Sequence, residues 1–270
     1  MISFVGAGPG AADLITLRGA DRLARADVVV WASSLVPREV LSHASKDATK
    51  FDSAQMTLED VLTVYRDHPD ASIVRLHSGD PSLYGAIQEQ IDWCEANERA
   101  YEIVPGVSSL AAAAAVIGRE LTVPQVSQSV VVTRLATRTA KSVPPTETIG
   151  AFAATGFTLA IFLSGARPAA LRDQLLSPPS VFDEETPAAV VVRATWPDEK
   201  VVTTTVGKLV DAVSSTGATT TLLVLVGPAL TGIAERSHLY SPDFAHGFRR
   251  RSLRGTTRGR PARSSKSDGR

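Results

Sequence analysis

Short runs of β-branched residues alternate along this chain with stretches of helical periodicity, and that alternation constrains the fold more than any other feature. The runs that read as strands are residues 2–5, 28–31, 73–76, 101–104, 130–133, 159–163, 189–192, 201–206 and 222–226. Between them, Leu58, Val61, Leu62 and Tyr65 recur at i, i+3, i+4, i+7 behind Thr57, and Ile87, Ile91 and Cys94 repeat at helical spacing. Alternation of this kind builds βαβ units, whose strands lie parallel with helices over their faces. The strands up to residue 104 therefore read as a parallel half, closed by the alanine-rich helix 110–117. In the second half the turn Trp196-Pro197-Asp198-Glu199 separates two adjacent runs, which predicts a hairpin and hence a mixed sheet. The expected fold class is α/β with two α/β domains, residues 1–122 with a mainly parallel sheet and residues 123–245 with a mixed one, followed by a basic tail at 246–270.

At 270 residues, 44% hydrophobic and 21% charged, the chain has enough apolar content for two cores. The longest apolar stretches, 110–117 and 222–226, are far short of the roughly 18 residues a membrane span needs. Met1 runs directly into apolar residues without a basic leader, and the single Cys94 cannot form an intramolecular disulfide. The histidines at 43, 68, 77, 238 and 246 show no metal-ligand spacing. A cytoplasmic, metal-free protein is the expectation. The net charge of zero hides an asymmetry: residues 249–270 hold nine Lys+Arg and one acid, which leaves residues 1–248 at −8. With only Leu253 as a sizeable apolar residue, that tail reads as a disordered, dispensable extension. It has no aromatic after Phe248 to stack on bases, so nucleic acid is not assigned as a partner.

Three loops carry the chemical signal, and each follows a strand. The first, Gly6-Ala7-Gly8-Pro9-Gly10-Ala11, satisfies G-x-G-x-x-G/A in form. A dinucleotide fold would start its helix inside the glycines and place an acid at the end of the second strand. Here Pro9 interrupts the loop, helical spacing begins only near Thr16, and the second strand ends in Trp31-Ala32-Ser33-Ser34. The second loop is Ser78-Gly79-Asp80-Pro81-Ser82-Leu83-Tyr84, and the third Pro105-Gly106-Val107-Ser108-Ser109. Ligands of open parallel sheets bind at the carboxyl edge where such loops gather. Each loop is also explicable as a turn plus a helix cap, with Asp80 capping a helix near Ser82 and Ser108 one near Leu110. Three together favour a site.

The set formed by residues 5–10 (VGAGPG), 13–19 (DLITLRG), 78–81 (SGDP) and 104–109 (VPGVSS) resembles the tetrapyrrole methylase family of S-adenosylmethionine-dependent enzymes. Residues 75–87, 120–129 and 193–199 narrow the resemblance to members that methylate corrin precursors in cobalamin biosynthesis, with ring position C-11 implied. It covers roughly residues 1–240. The resemblance implies a homodimer with S-adenosylmethionine held by Pro9, by Ser78, Gly79, Asp80 and Leu83, by Ser108 and Ser109, and by Leu163, Ala194 and Thr221. Residues 31–36 (WASSLV) depart from the family, which would have a glycine near Ser33. The substrate, a small tetrapyrrole with acetate and propionate arms, would be repelled at long range by a body of charge −8, so its recognition must be local. Arg75, Arg134, Arg138, Arg167 and Arg193, beside strand ends or loops, are the candidate carboxylate binders, with His77 as a further substrate contact. C-17 or C-20 methylation, a diphthine-type protein substrate and a nucleotide-dependent oxidoreductase are the alternatives.

Overall fold

The computed structural model describes residues 1–135, 140–232, 237, 239, 241, 244 and 245. The tail expected at 246–270 lies outside the described residues. In chain order the elements are β1 Ile2–Gly6, α1 Leu17–Ala24, β2 Val28–Trp31, β3 Thr49–Asp52, α2 Leu58–Asp67, β4 Ile73–His77, α3 Gln88–Ala96, β5 Tyr101–Val104 and α4 Ser109–Val116. Then follow β6 Val130–Arg134, α5 Ile149–Ala153, β7 Thr158–Phe162, α6 Pro168–Leu176, β8 Pro187–Val192, β9 Lys200–Thr205, α7 Leu209–Thr216 and β10 Leu222–Val226.

The first five strands form one sheet in the order β3-β2-β4-β1-β5, with every pair parallel. The alternating side chains of its central strands feed two apolar layers. Ile2, Phe4, Val28, Val30 and Ile73 pack under α2 and α3, while Val5, Val29, Val74 and Leu76 pack under Leu23 of α1 and the 3₁₀ segment 38–43. The helix after β1 and the helix after β4 therefore lie on opposite faces, although the two strands are neighbours. That reversal opens a crevice at the carboxyl edge, where open α/β sheets bind ligands.

The second sheet runs β6-β7-β10-β8-β9 and is mixed, with β6 and β7 parallel and the remaining pairs antiparallel. The β8–β9 hairpin is the one expected from the turn at 196–199. Three features differ from the sequence reading. β3, Thr-Lys-Phe-Asp, is mostly exposed, because an edge strand tolerates charge that would be excluded from a central one. The helix expected near Ser82 starts instead at Gln88, after an irregular stretch that includes Tyr84 and Ala86 at φ 58° and 49°. Finally, α4 does not close the first sheet. Its Ala112 and Ala113 are buried against Ala160, Ala189, Val191, Leu223 and Leu225, on the second sheet. Small side chains allow that close helix–sheet contact, and α4 thereby carries the third loop across to the other half.

At the carboxyl edge the three loops pack through backbone. A Cβ on Gly106 would stand 2.2 Å from the Gly79 carbonyl oxygen and 2.7 Å from Gly6 Cα. No side chain fits between these atoms, and none of them belongs to a flexible group that could swing aside. Gly106→Ala is expected to cost about 2 kcal/mol or more of unfolding free energy, an overpacking penalty read by urea denaturation; an unchanged midpoint would show that the three loops are not in register contact.

Candidate functional site

The crevice is built from glycine conformation first. Gly8, at φ 80°, and Gly79, at φ 64°, face each other in an antiparallel bridge, Gly79 N–H donating to the Gly8 carbonyl at 2.8 Å and Gly8 N–H returning to Gly79 at 3.3 Å. Asp80 then fastens the second loop to the third. Its carboxylate accepts from Gly106 N–H at 2.9 Å and from Ser82 N–H at 2.8 Å. Asp80 thus caps no helix; it clasps two loops. Ser108, by contrast, is the expected cap, its Oγ accepting from Leu110 N–H at 3.2 Å at the start of α4. Ser78, Ser108 and Ser109 are half-buried around the same edge.

The second sheet reaches this edge through the turn after β8. Trp196 Nε1 donates to the Pro9 carbonyl at 2.9 Å, and Ala11 N–H donates to Thr195 Oγ1 at 3.0 Å. Ala194 is buried at the junction, with its carbonyl and the Trp196 ring both closing on Gly10. A second crossing point pairs Tyr84 with Phe162, ring centroids 5.2 Å apart and tilted. Beside it Leu83 is 39% and Leu163 58% exposed, an unusual placement for two leucines in the middle of a fold. Leu163, Arg193, Thr195 and Thr221 all take positive φ, from 47° to 68°. Such conformations cost about 1–3 kcal/mol each and persist where the surroundings enforce them. Here they lie at the ends of β7, β8 and the start of β10, on the side that meets the three glycine loops. The structure therefore brings Pro9, Gly79, Asp80, Ser108, Ala194 and their neighbours to one junction. Leu83, Leu163 and Thr221 lie on its rim.

The expected substrate-binding residues are scattered more widely. Arg75 and His77, in β4, turn into the first apolar layer rather than toward the edge. Arg75 donates to Ser53 Oγ at 2.7 Å and to the Val30 carbonyl at 3.4 Å, its Nε has no partner, and burial lowers its pKa. His77 is buried against Phe4, ring centroids 6.2 Å apart, with Nε2 unpartnered. Burial, reinforced by the Arg75 charge, lowers its pKa to about 3, so the ring is neutral at pH 7. Arg193 pairs with Asp198 and lies 5.4 Å over the Trp196 ring, which commits it to shaping its own turn. Arg167 is exposed and precedes α6. Arg134 lines a separate hollow of about 400 Å³ with Glu147 and Thr148. Arg138 lies outside the described residues.

Two features beside the junction were not legible in the sequence. Trp196 reads there as part of a turn and of the segment 193–199 that carries the resemblance, but nothing local shows that its indole reaches a carbonyl in the first loop. The other is a groove of about 920 Å³ beside the junction, between the carboxyl end of β2, the segment 37–42 and Trp196. It includes Trp31, Arg38, Lys50 and Asp52. Asp52 accepts from Ser33 N–H and Ala54 N–H, both at 3.0 Å; hydrogen bonding from the Ser33 side chain first, and then from these two N–H groups, holds its carboxyl below the usual range. Among the described residues no group of three His, Cys, Asp or Glu side chains is placed to hold a metal, and no helix is long and apolar enough to cross a membrane.

The neutral state of His77 has a measurable consequence. Its pKa in the unfolded chain, near 6.5, exceeds its folded value, so the unfolded state binds the extra proton and stability is lost as pH falls below about 6.5. Each pH unit below that point should remove about 1.4 kcal/mol through this one group. Comparing urea unfolding at pH 7 and pH 5, His77→Gln should show a shallower loss than the parent protein; parallel losses would mean that the ring is solvated.

Comparison with known proteins follows the same geometry. The profile of the tetrapyrrole (corrin/porphyrin) methylases matches residues 1–210. A precorrin-4 C(11)-methyltransferase of Sinorhizobium sp is 42% identical over 253 residues, covering 93% of this chain and 98% of that protein. The solved structure of a cobalt-precorrin-4 methyltransferase of cobalamin biosynthesis aligns with TM-score 0.81 at 39% identity, over 86% of this chain and 96% of its own. A uroporphyrin-III C-methyltransferase from Thermus thermophilus, complexed with S-adenyl homocysteine, shares the fold with TM-score 0.71 at 23% identity, over 85% of this chain and 98% of its own.

Proposed function

The chain belongs to the tetrapyrrole (corrin/porphyrin) methylases, and we propose that within this family it is an S-adenosylmethionine-dependent C-methyltransferase acting at C-11 of a corrin precursor in cobalamin biosynthesis. The observation that carries this reading is the junction of the three glycine loops with the turn at 194–196. The regiospecificity rests on the relatives that share about two fifths of its residues over nearly their whole length.

The junction suits the cofactor chemically. Gly6 and Gly106 admit no side chain between the loops, Gly79 holds the left-handed φ of 64°, the turn residues present backbone at strained φ, and Leu83 and Leu163 offer exposed apolar surface. A nucleoside with an amino-acid arm joined through a sulfonium sulfur asks for such a lining. In this proposal Pro9, Ser78, Gly79, Leu83, Ser108, Ser109, Leu163, Ala194 and Thr221 surround it, and Asp80 acts through its clasp on Gly106. When bound, S-adenosylmethionine supplies a sulfonium-activated methyl group to an electron-rich carbon of the substrate ring. Neither partner then requires a side-chain nucleophile. The protein's part is to hold the reacting carbon in line and to exclude water, which can remove about 7–11 kcal/mol of barrier. His77, buried and neutral, is not placed to move a proton at the crevice.

The same proposal treats residues 1–122 and 123–245 as two domains, the protein as a homodimer and its location as the cytoplasm. The functional reading is tested by incubating the protein with isotopically labelled S-adenosylmethionine and precorrin-4 or its cobalt form. One labelled methyl should appear at C-11 by NMR, and sedimentation should give a dimer. Label at C-17 or C-20 would overturn the ring position, and no transfer to either precursor would overturn the substrate.

A further inference from the structure

We propose that Tyr65 and Gln90 are positioning residues for the cofactor crevice: their hydrogen-bonded pair holds residues 83–87 in the strained conformation that presents Leu83 and Tyr84 at its rim. The proposal rests on the functional reading above and adds to it two residues, one in α2 and one in α3, that act on the crevice through the backbone of the second loop.

The first argument is strain. Tyr84 and Ala86 take φ of 58° and 49°, left-handed values that are unfavourable for any residue with a Cβ and more so for a bulky one. Gly85 between them is folded back on the start of the loop, where a Cβ would stand 2.2 Å from the Pro81 carbonyl oxygen. This conformation leaves Leu83 exposed at the rim of the crevice and sets the Tyr84 ring against Phe162 of β7. Backbone of this kind persists only where its surroundings over-determine it. The loop must therefore be held from the protein side.

The second argument is what holds it. The Asp80 carboxylate secures the start of the loop at Ser82. Beyond that point, among the described residues, a single side chain hydrogen-bonds the backbone of 83–87: Gln90 Nε2 donates to the Ala86 carbonyl at 3.1 Å. The other end of the same amide is fixed in turn, its Oε1 accepting from the Tyr65 hydroxyl at 2.7 Å. Both side chains are buried, and in so apolar a layer each bond is electrostatically stronger than it would be in water. Burial also raises the pKa of Tyr65, so its hydroxyl remains a donor at neutral pH. An apolar residue at position 90 would fill the layer without the desolvation cost of an amide. What the glutamine adds is the bond to Ala86. The contacts thus run from Tyr65 through Gln90 and Ala86 to Tyr84 and Phe162, a path to the second sheet independent of the Trp196 bond to Pro9.

The test uses the full chain and the double variant Tyr65→Phe/Gln90→Met, which removes both side-chain partners of the buried bond, keeps their shapes close and leaves neither with an unmet polar group. Its melting temperature should stay within about 5 °C of the parent's. Hydrogen exchange of the amides of 84–87 should rise about tenfold, as expected when a local anchor is lost. S-adenosylhomocysteine affinity, measured by calorimetry, should fall about fivefold. In turnover the loss should appear as a higher KM for S-adenosylmethionine with kcat within about twofold, because a variant that is only less stable loses active protein and leaves the KM of the folded remainder unchanged. Tyr65→Phe alone keeps the bond to Ala86 and should show a smaller part of each change; it carries the test if the double variant does not fold. Exchange unchanged at 84–87, or exchange raised with S-adenosylhomocysteine affinity equal to the parent's, overturns the positioning role and leaves the methyltransferase reading standing. A parent protein that itself binds no S-adenosylhomocysteine overturns the functional reading, and the part proposed for Tyr65 and Gln90 with it.

Discussion

The contact on which the rest of the structure depends is made without side chains. Gly6, Gly79 and Gly106 bring the ends of β1, β4 and β5 so close that a methyl group at position 106 would overlap a carbonyl oxygen. Packing at that distance leaves backbone N–H and C=O groups to be satisfied locally. The Gly8–Gly79 bridge and the Asp80 carboxylate do so. A compact floor of backbone results at the carboxyl edge of the parallel sheet, over the point where helices on opposite faces leave it open.

That floor becomes a site only because the second sheet closes on it. The turn after β8 takes strained φ at Arg193 and Thr195, which aims Thr195 Oγ1 and the Trp196 indole at the first loop. Arg193, held by Asp198 and stacked over Trp196, keeps the turn in that shape. α4 supplies the other link, starting at the third glycine loop and burying its alanines in the second sheet. The two sheets are thus joined on both sides of the crevice, and the chemistry proposed for it needs such a fixed geometry more than it needs reactive side chains.

Much of this was legible in the residues, and the gaps have physical causes. The strands with β-branched, buried sequences were readable, as were Thr57 and Ser108 as caps, because their signals are local. β3 was not, since an edge strand of Thr, Lys, Phe and Asp carries no apolar alternation. Missing it also hid the groove, which draws Lys50 and Asp52 from that strand. The helix Ser109–Val116 was readable as a helix but not as to partner, because a run of alanines has no apolar face to point one way. Asp80 was recognisable as important, yet its bond to Gly106, 26 residues away, is a tertiary fact. Trp196 and Pro9, 187 positions apart, meet only in the folded chain.

The central claim is that the turn of the second sheet completes the cofactor cradle on the first. Trp196→Phe tests it most directly, because phenylalanine keeps an aromatic ring against Gly10 and removes the N–H that reaches Pro9. The measurement is S-adenosylhomocysteine affinity by calorimetry, with thermal melting to confirm the fold. Loss of one hydrogen bond at the junction should weaken binding about tenfold, of the order a single such bond supports, with a melting temperature close to that of the parent protein. Affinity equal to the parent's, with the fold intact, would contradict the account.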